Sequence, residues 1–413
     1  MTLPLSHVTV LDLSRILAGP WCSQLLADLG ATVIKIERPG RGDDTRSWGP
    51  PFLKDRQGNE TGEAAYYLGV NRNKQSAAVD FTRPEGQAIL LELARQADVF
   101  LENYKVGGLK KYGLDYESVR QAKPGIVYCS VTGFGQDGPY ANSAGYDFMI
   151  QGLGGLMSIT GERDELPGGG PQKVGVAVAD IMTGLYATVG IQAALAHRDR
   201  TGVGQHLDLA LLDTQVAMIA NLNMNYLVSG AVPGRMGNAH ANIVPYQAFA
   251  SADGHVILAV GNDSQFEKFC QIANRPDLAL DPRFRGNADR VRNREILVPI
   301  VAALMQSRTT MEWTTACDAA HVPCGPINRL DQVFGDPQVV HRGMRIDLPH
   351  PLSGTVPQVV SPIKFSATPM AYHSAPPLLG QHTARVLADR LGYDADRIAD
   401  LAARKIIAVN QEA

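Results

Sequence analysis

HVTVLDLSRILAGPWCSQLLADLGATVIKIE, residues 7–37, decides the fold. Residues 7–13 are an apolar, β-branched run, and Gly19-Pro20 then opens the helical pattern WCSQLLADLG. Gly30 ends that pattern, and residues 32–37 (TVIKIE) form the next strand. The same order recurs outward from this unit. Pro84-Glu85-Gly86 starts a helix through Ala97, and residues 98–102 (DVFLE) are a strand. Residues 126–131 (IVYCSV) are another strand, which runs into a glycine turn at 132–135. Strands alternating with helices predict an α/β protein whose parallel sheet is covered on both faces.

Further along, residues 181–197 (IMTGLYATVGIQAALAH) predict a long apolar helix, and residues 205–228 a second strand and helix. Residues 230–330 carry turn-rich, mixed patterns, and the chain beyond about 330 is rich in proline and turns. The expected organisation is therefore a large α/β domain over 1–228, a small α+β domain over 229–330, and a C-terminal segment, 331–413, that returns to the large one.

Composition narrows the function. Apolar residues make up 45% and charged residues 19%, ordinary for a globular protein, and the net charge of −3 gives no reason to expect nucleic acid or a membrane surface as partner. MTLPLSHVTV lacks the basic and long apolar regions of a signal peptide, and no uncharged membrane-length window stands out, so a cytoplasmic enzyme is expected. Cys22, Cys129, Cys270, Cys317 and Cys324 have neither C-x-x-C nor zinc-site spacing, so no metal is expected. Walker A, H-E-x-x-H and G-x-S-x-G patterns are missing. The one G-x-G-x-x-G, residues 133–138, is followed by Pro139 and polar residues instead of a helix, which weakens a dinucleotide reading.

Ligands of open α/β sheets sit on the loops beyond the strands' carboxyl ends. Three such loops carry cations: residues 14–20 with Arg15, residues 38–46 with Arg38, Arg41 and Arg46, and residues 103–105 with Lys105, near Lys110 and Lys111. Together they suit a ligand with several phosphates and a flat base. Asp180 is the other unusual feature, an acid interrupting the run VGVAVADIMTGLYA at a helix start. It fits either a helix cap or a carboxylate nucleophile, and pattern alone leaves both open.

LDLSRILAGP, VIKIERPGRGDDTR, NRNKQSAAVD, PEG, DVFLENY, VYCSVTGFGQDGPY, AGYD and VADIMTGLYA occur here in the order in which they mark the class III CoA-transferases, the CaiB/BaiF type. The chain resembles that family over nearly its whole length. The resemblance implies a Rossmann-like large domain, a smaller domain, and two subunits interlocked as a homodimer. It implies that Asp180 attacks the thioester of an acyl-CoA, passing through an aspartyl anhydride and an aspartyl-CoA thioester before CoA leaves on a free carboxylic acid. CoA itself is then substrate, with no permanently bound cofactor and no metal.

Carried over by position, CoA contacts fall at Leu17, Ala18, Arg38, Val79, Asp80, Phe81, Thr82, Asn103, Tyr104, Lys105, Lys111, Thr132, Gly133, Phe134 and Gly135, with Arg15 added as their neighbour. GDDTRSWGPPF, IVPYQAF, VPCGPIN and PPLLGQHT are most similar to members that move CoA from succinyl-CoA to glutarate, so a dicarboxylate acceptor is expected. Its distal carboxylate needs a cation, for which Arg46, Arg15 and His240 are candidates, and Tyr146, Gly237 and Asn238 complete the expected acceptor contacts. The formate-specific members have glutamine where this chain has Leu17, and a glycine quartet where it has His240-Ala241-Asn242-Ile243, which implies a different acceptor pocket.

Two alternatives use the same loops. A racemase of 2-methylacyl-CoA needs a histidine where AGYD places Tyr146, and a phenol with a pKa near about 10 is a poor base at neutral pH. A non-catalytic acyl-CoA-binding protein would not need Asp180.

Overall fold

A computed structural model describes residues 2–410. The chain divides into two compact units. The first is built from the segment that ends at Gly155, residues 175–224, and the segment that begins at Val340; the second from residues 156–174 and 225–339. Three segments therefore fall differently from the division expected from sequence. Residues 156–174 and 225–228, expected in the large domain, belong to the second unit, as do residues 331–339. LMSITGERDELPGGGPQKV, residues 156–174, is a turn-rich run with no apolar period to mark a change of unit.

The first unit is organised by one seven-stranded sheet: β1 (Thr9–Asp12), β2 (Thr32–Glu37), β3 (Lys74–Val79), β4 (Val99–Glu102), β5 (Val127–Thr132), β6 (His206–Ala210) and β7 (Ile407–Ala408). Their spatial order is β7-β3-β2-β1-β4-β5-β6. All neighbours run parallel except β7, which is antiparallel to β3. The order reverses between β1 and β4, and such a reversal opens a crevice at the strands' carboxyl ends.

Both faces of the sheet are buried, which explains why its central strands β1, β2, β4 and β5 are mostly apolar instead of alternating. Leu11, Ile34, Ile36, Phe100 and Tyr128 point into one core. Their chain neighbours Val10, Val33, Val99, Leu101, Val127 and Cys129 point into the other. Each Ile or Leu so buried contributes roughly 1.5–3 kcal/mol.

Four helices matter for the site: α1 (Ala18–Asp28), α2 (Pro84–Gln96), α3 (Asp147–Leu153) and α4 (Val178–Thr201). By length and composition alone α4 is apolar enough to cross a membrane, contrary to the reading of the sequence. Here Ala179, Thr183, Ala187, Ile191 and Leu195, spaced about one turn apart, form its buried stripe, most of it packed into the second core. The motif PPLLGQHT closes the β3 edge: Gly380 N–H donates to Ser76 Oγ at 2.9 Å, and Ala78 N–H donates to Thr383 Oγ1 at 2.9 Å.

The second unit has a three-stranded antiparallel sheet made of Tyr246–Ala250, His255–Ala259 and Cys324–Pro326. Helices Asp263–Ile272, Arg294–Met305 and Thr310–Ala319 bury Phe266, Phe269, Leu297 and Trp313 in one core with its strands. This unit combines helices with an antiparallel sheet.

Candidate active site

Beyond the carboxyl ends of β1 to β5 lies a cavity of about 650 Å³, the size of a small-molecule site. The loop after β1 brings Arg15, Leu17 and Ala18 to its wall, and the loop after β2 brings Arg38 and Arg41. Val79 ends β3 and Asp80, Phe81 and Thr82 follow it, and Asn103, Tyr104, Lys105 and Lys111 follow β4. Thr132 ends β5 and Gly133 follows it, and Tyr146, Asp180 and Leu211 also line the cavity. The three cationic loops therefore meet at one cavity.

The loops are fixed from beneath by buried charge. Lys35, fully buried, holds Asp43 Oδ2 at 2.9 Å and donates to Ser14 O at 2.8 Å. Burial works against the charge on Lys35, but Asp43, Asp12 and Glu37 outweigh it and keep the ammonium protonated. Asp43 feels the same balance, and Lys35 holds its carboxyl down at about 2 in spite of burial. This network was not found in the sequence, although a lone lysine inside the apolar strand TVIKIE was a visible signal, because buried lysines need partners.

Asp180 stands in the first turn of α4, and the capping position is Ala177, which has no side-chain bond to give. The cap comes from outside: Asp147 Oδ1 accepts the Ala179 N–H at 2.8 Å, and Gln151 Nε2 donates to Asp147 Oδ2 at 2.7 Å. Capping is thus the work of Asp147, the last letter of AGYD, which the sequence reading passed over. Asp180 itself makes no ion pair or side-chain hydrogen bond among the described residues. Burial, and then the like charge of Asp147, push its carboxyl up to about 7. An unpaired carboxylate of raised pKa at a cavity wall has the properties that nucleophilic or base chemistry requires.

Gly133 controls how AGYD reaches this place. A Cβ on residue 133 would lie 2.5 Å from the Cα of Gly145, so the two backbones touch where no side chain fits. Gly133→Ala should push residues 145–147 outward, moving Tyr146 and the Asp147 cap, and lower kcat by about tenfold or more. A crystal structure of the variant, read with its kcat, checks this.

Arg46 is buried, with Nε and Nη2 each 2.8 Å from a Glu37 oxygen and further bonds to Tyr67 Oη and Pro377 O. It does not line the cavity, and the contacts it makes are those of a buried structural ion pair. Phe134 turns into the second core, and the Gly135 N–H is taken by Thr132 Oγ1 at 2.9 Å; neither lines the cavity. Arg15 lines it while pairing with Asp44 at 2.8 Å and lying over the Tyr104 ring at 5.3 Å, and its buried Nε has no partner among the described residues. Gly237, Asn238 and His240 belong to the second unit. There Gly237 N–H donates to Gly161 O, Asn238 is exposed, and the His240 ring packs 5.2 Å from Tyr246.

Comparison with known proteins gives a consistent result. The model of CoA-transferase family III matches residues 5–383. The succinate–glutarate CoA-transferase of Agrobacterium fabrum is 52% identical over 391 residues, 94% of this chain and 95% of that protein. The succinyl-CoA:glutarate CoA-transferase of Homo sapiens is 43% identical over 404 residues, 98% of this chain and 90% of that one. The crystal structure of a CaiB/BaiF family protein from Brucella suis superposes with a TM-score of 0.82 at 48% identity, covering 94% of this chain and 100% of that chain. A match of this extent, over a chain whose cationic loops and unpaired aspartate share one cavity, leads to one assignment: the chain belongs to CoA-transferase family III.

Proposed function

We propose that the protein transfers CoA from succinyl-CoA to a dicarboxylic acid, glutarate first, with Asp180 as the nucleophile. The observation that carries this is the unpaired Asp180 carboxylate at the cavity lined by the cationic loops. The names of the two relatives, one bacterial and one human, support the acid pair. The CoA moiety lies along Leu17, Ala18, Arg38, residues 79–82, Tyr104, Lys105, Lys111 and residues 132–133, with its phosphates on Arg15, Arg38 and Lys105.

The chemistry follows from the carboxylate. Asp180 Oδ attacks the thioester carbonyl, the C–S bond breaks, and an anhydride and CoA thiolate form. Thiolate attack on the aspartyl carbonyl releases the donor acid and leaves aspartyl-CoA thioester. The acceptor carboxylate attacks this thioester, releasing thiolate and forming a second anhydride, whose acyl carbonyl the thiolate takes to restore Asp180. Each step gathers charge on a carbonyl oxygen, and the opening amides of α1, which have no acceptor among the described residues, would receive it. CoA and both acids are substrates in this scheme, which calls for no resident cofactor or metal.

A panel of acids with succinyl-CoA as donor tests the acceptor. Glutarate and its C4–C6 neighbours should be used with kcat/KM at least about tenfold above monocarboxylates. Faster turnover of any monocarboxylate would reject the dicarboxylate reading.

The pH profile tests the nucleophile. The ionised form attacks, and the pKa stands near 7, so kcat/KM for succinyl-CoA should fall about tenfold per pH unit below about 7. Asp147→Asn keeps an oxygen for the Ala179 amide and removes the like charge, so the acid limb should move to lower pH.

The working form is proposed to be an interlocked homodimer in the cytoplasm. Exposed apolar side chains on α3 (Phe148, Met149, Leu153) and α4 (Leu185, Tyr186, Val189) support a partner surface. Sedimentation giving twice the chain mass is the expected result.

A further inference from the structure

Ile16 is the one β-branched residue among the described residues with a positive φ, at 73°. For an L-residue branched at Cβ this region is strongly disfavoured, and glycine is its usual occupant. A conformation of this kind persists only where neighbours hold it, and it collects at working sites. Ile16 lines the cavity and directly precedes Leu17 and Ala18.

Two side chains from other loops hold it. Asn103 brackets the preceding residue from both sides: its Oδ1 accepts the Arg15 N–H at 2.9 Å and its Nδ2 donates to Arg15 O at 2.7 Å. Asp43, fixed in turn by Lys35, accepts the Ile16 N–H at 3.2 and 3.3 Å. Beyond this point the chain turns into α1, and the amides of Leu17, Ala18 and Gly19 have no acceptor among the described residues. The opening of α1 also touches the helix that carries the nucleophile. A Cβ on Gly184, one turn after Asp180, would lie 2.6 Å from Ala18 O.

We propose that Asn103 is a positioning residue: with Asp43 it locks Ile16 in the left-handed region and so sets the opening of α1 against α4, where Asp180 stands. The amide of Asn103 is engaged on both sides by Arg15, so its side chain works inward on the loop in place of gripping CoA. This rests on the reading of Asp180 as nucleophile.

Glycine supplies the test, because it adopts a positive φ without help. Asn103→Ala should lower kcat about 10- to 100-fold while KM for succinyl-CoA stays within about threefold. Adding Ile16→Gly to that variant should recover about tenfold of the lost kcat, whereas adding Ile16→Ala, still an L-residue, should recover little. Equal recovery by alanine, no recovery by glycine, or a loss confined to KM would each overturn the proposal. If Asn103→Ala does not fold, Asn103→Asp replaces it: the acceptor for Arg15 N–H survives and the donor is lost, and the same glycine rescue is required. Asp180→Asn is assayed in parallel. Activity retained there would refute the nucleophile assignment alone, and the rescue pattern would still be decided on its own data.

Discussion

Asp180→Asn should abolish CoA transfer, by at least about 10³-fold in kcat, and at the same time make the protein harder to unfold. Asparagine is almost the same shape but forms neither the anhydride nor the thioester, so no covalent CoA adduct should be trapped on the chain. The stability gain has a separate cause. Burial and Asp147 raise the folded-state pKa of Asp180 to about 7, well above its ordinary value, so ionising it costs folding free energy. That cost is absent at low pH, where the carboxyl is neutral in both states, and is fully felt once the pH has risen through about 7. The variant should therefore match the wild type in acid and exceed it at neutral pH by on the order of 1–3 kcal/mol after solvent screening. Denaturant melts at two pH values, read beside mass spectra of the acyl-enzyme, decide both halves. Residual turnover within tenfold of wild type would remove Asp180 from the chemistry.

The strands and the crossover helices were legible because their signals are local. Residues 32–37, marked as a strand by TVIKIE, are β2, and the helix read from Pro84 begins at Pro84. The convergence of the cationic loops was legible too, since a parallel sheet brings the ends of its strands to one edge. Contacts made by chain far away in sequence were hidden. Nothing in RPGRGDDTR separates Arg38, which faces the cavity, from Arg46, which turns inward to Glu37. Likewise, Asp180 looked like a cap because an acid in a first helical turn often is one, and the competing cap comes from Asp147, 33 residues earlier. The left-handed Ile16 had no signal at all: isoleucine gives no hint of a positive φ, and its restraints arrive from residues 43 and 103.

The fate of Arg46 gives the other large expected effect. Its guanidinium forms a two-pronged pair with Glu37, and Glu37 also accepts from Ser76 Oγ at 2.6 Å and from the Asp43 N–H at 2.9 Å. Burial opposes both charges, yet the pair outweighs it, holding the Glu37 carboxyl below its ordinary range and the guanidinium firmly protonated. Arg46→Ala leaves the carboxylate buried without its cation, and removal of one partner of such a pair costs about 3–5 kcal/mol. Arg46→Lys should recover little, because an ammonium cannot make the parallel bonds of the fork. Glu37→Gln combined with Arg46→Met should be milder than Arg46→Ala, since it removes both charges and fills part of the space. The acceptor panel separates this from the role first expected of Arg46. As a structural residue it should shift the denaturation midpoint and leave the ranking of acids unchanged. A selective rise in KM for dicarboxylates at unchanged stability would return Arg46 to the acceptor site. The distinction matters because Glu37 ends β2, directly before Arg38, and its partner Asp43 grips Ile16. The pair fixes the loop that carries Arg38 to the cavity and the residue proposed to lock the opening of α1, so its loss should reach the cavity through the backbone.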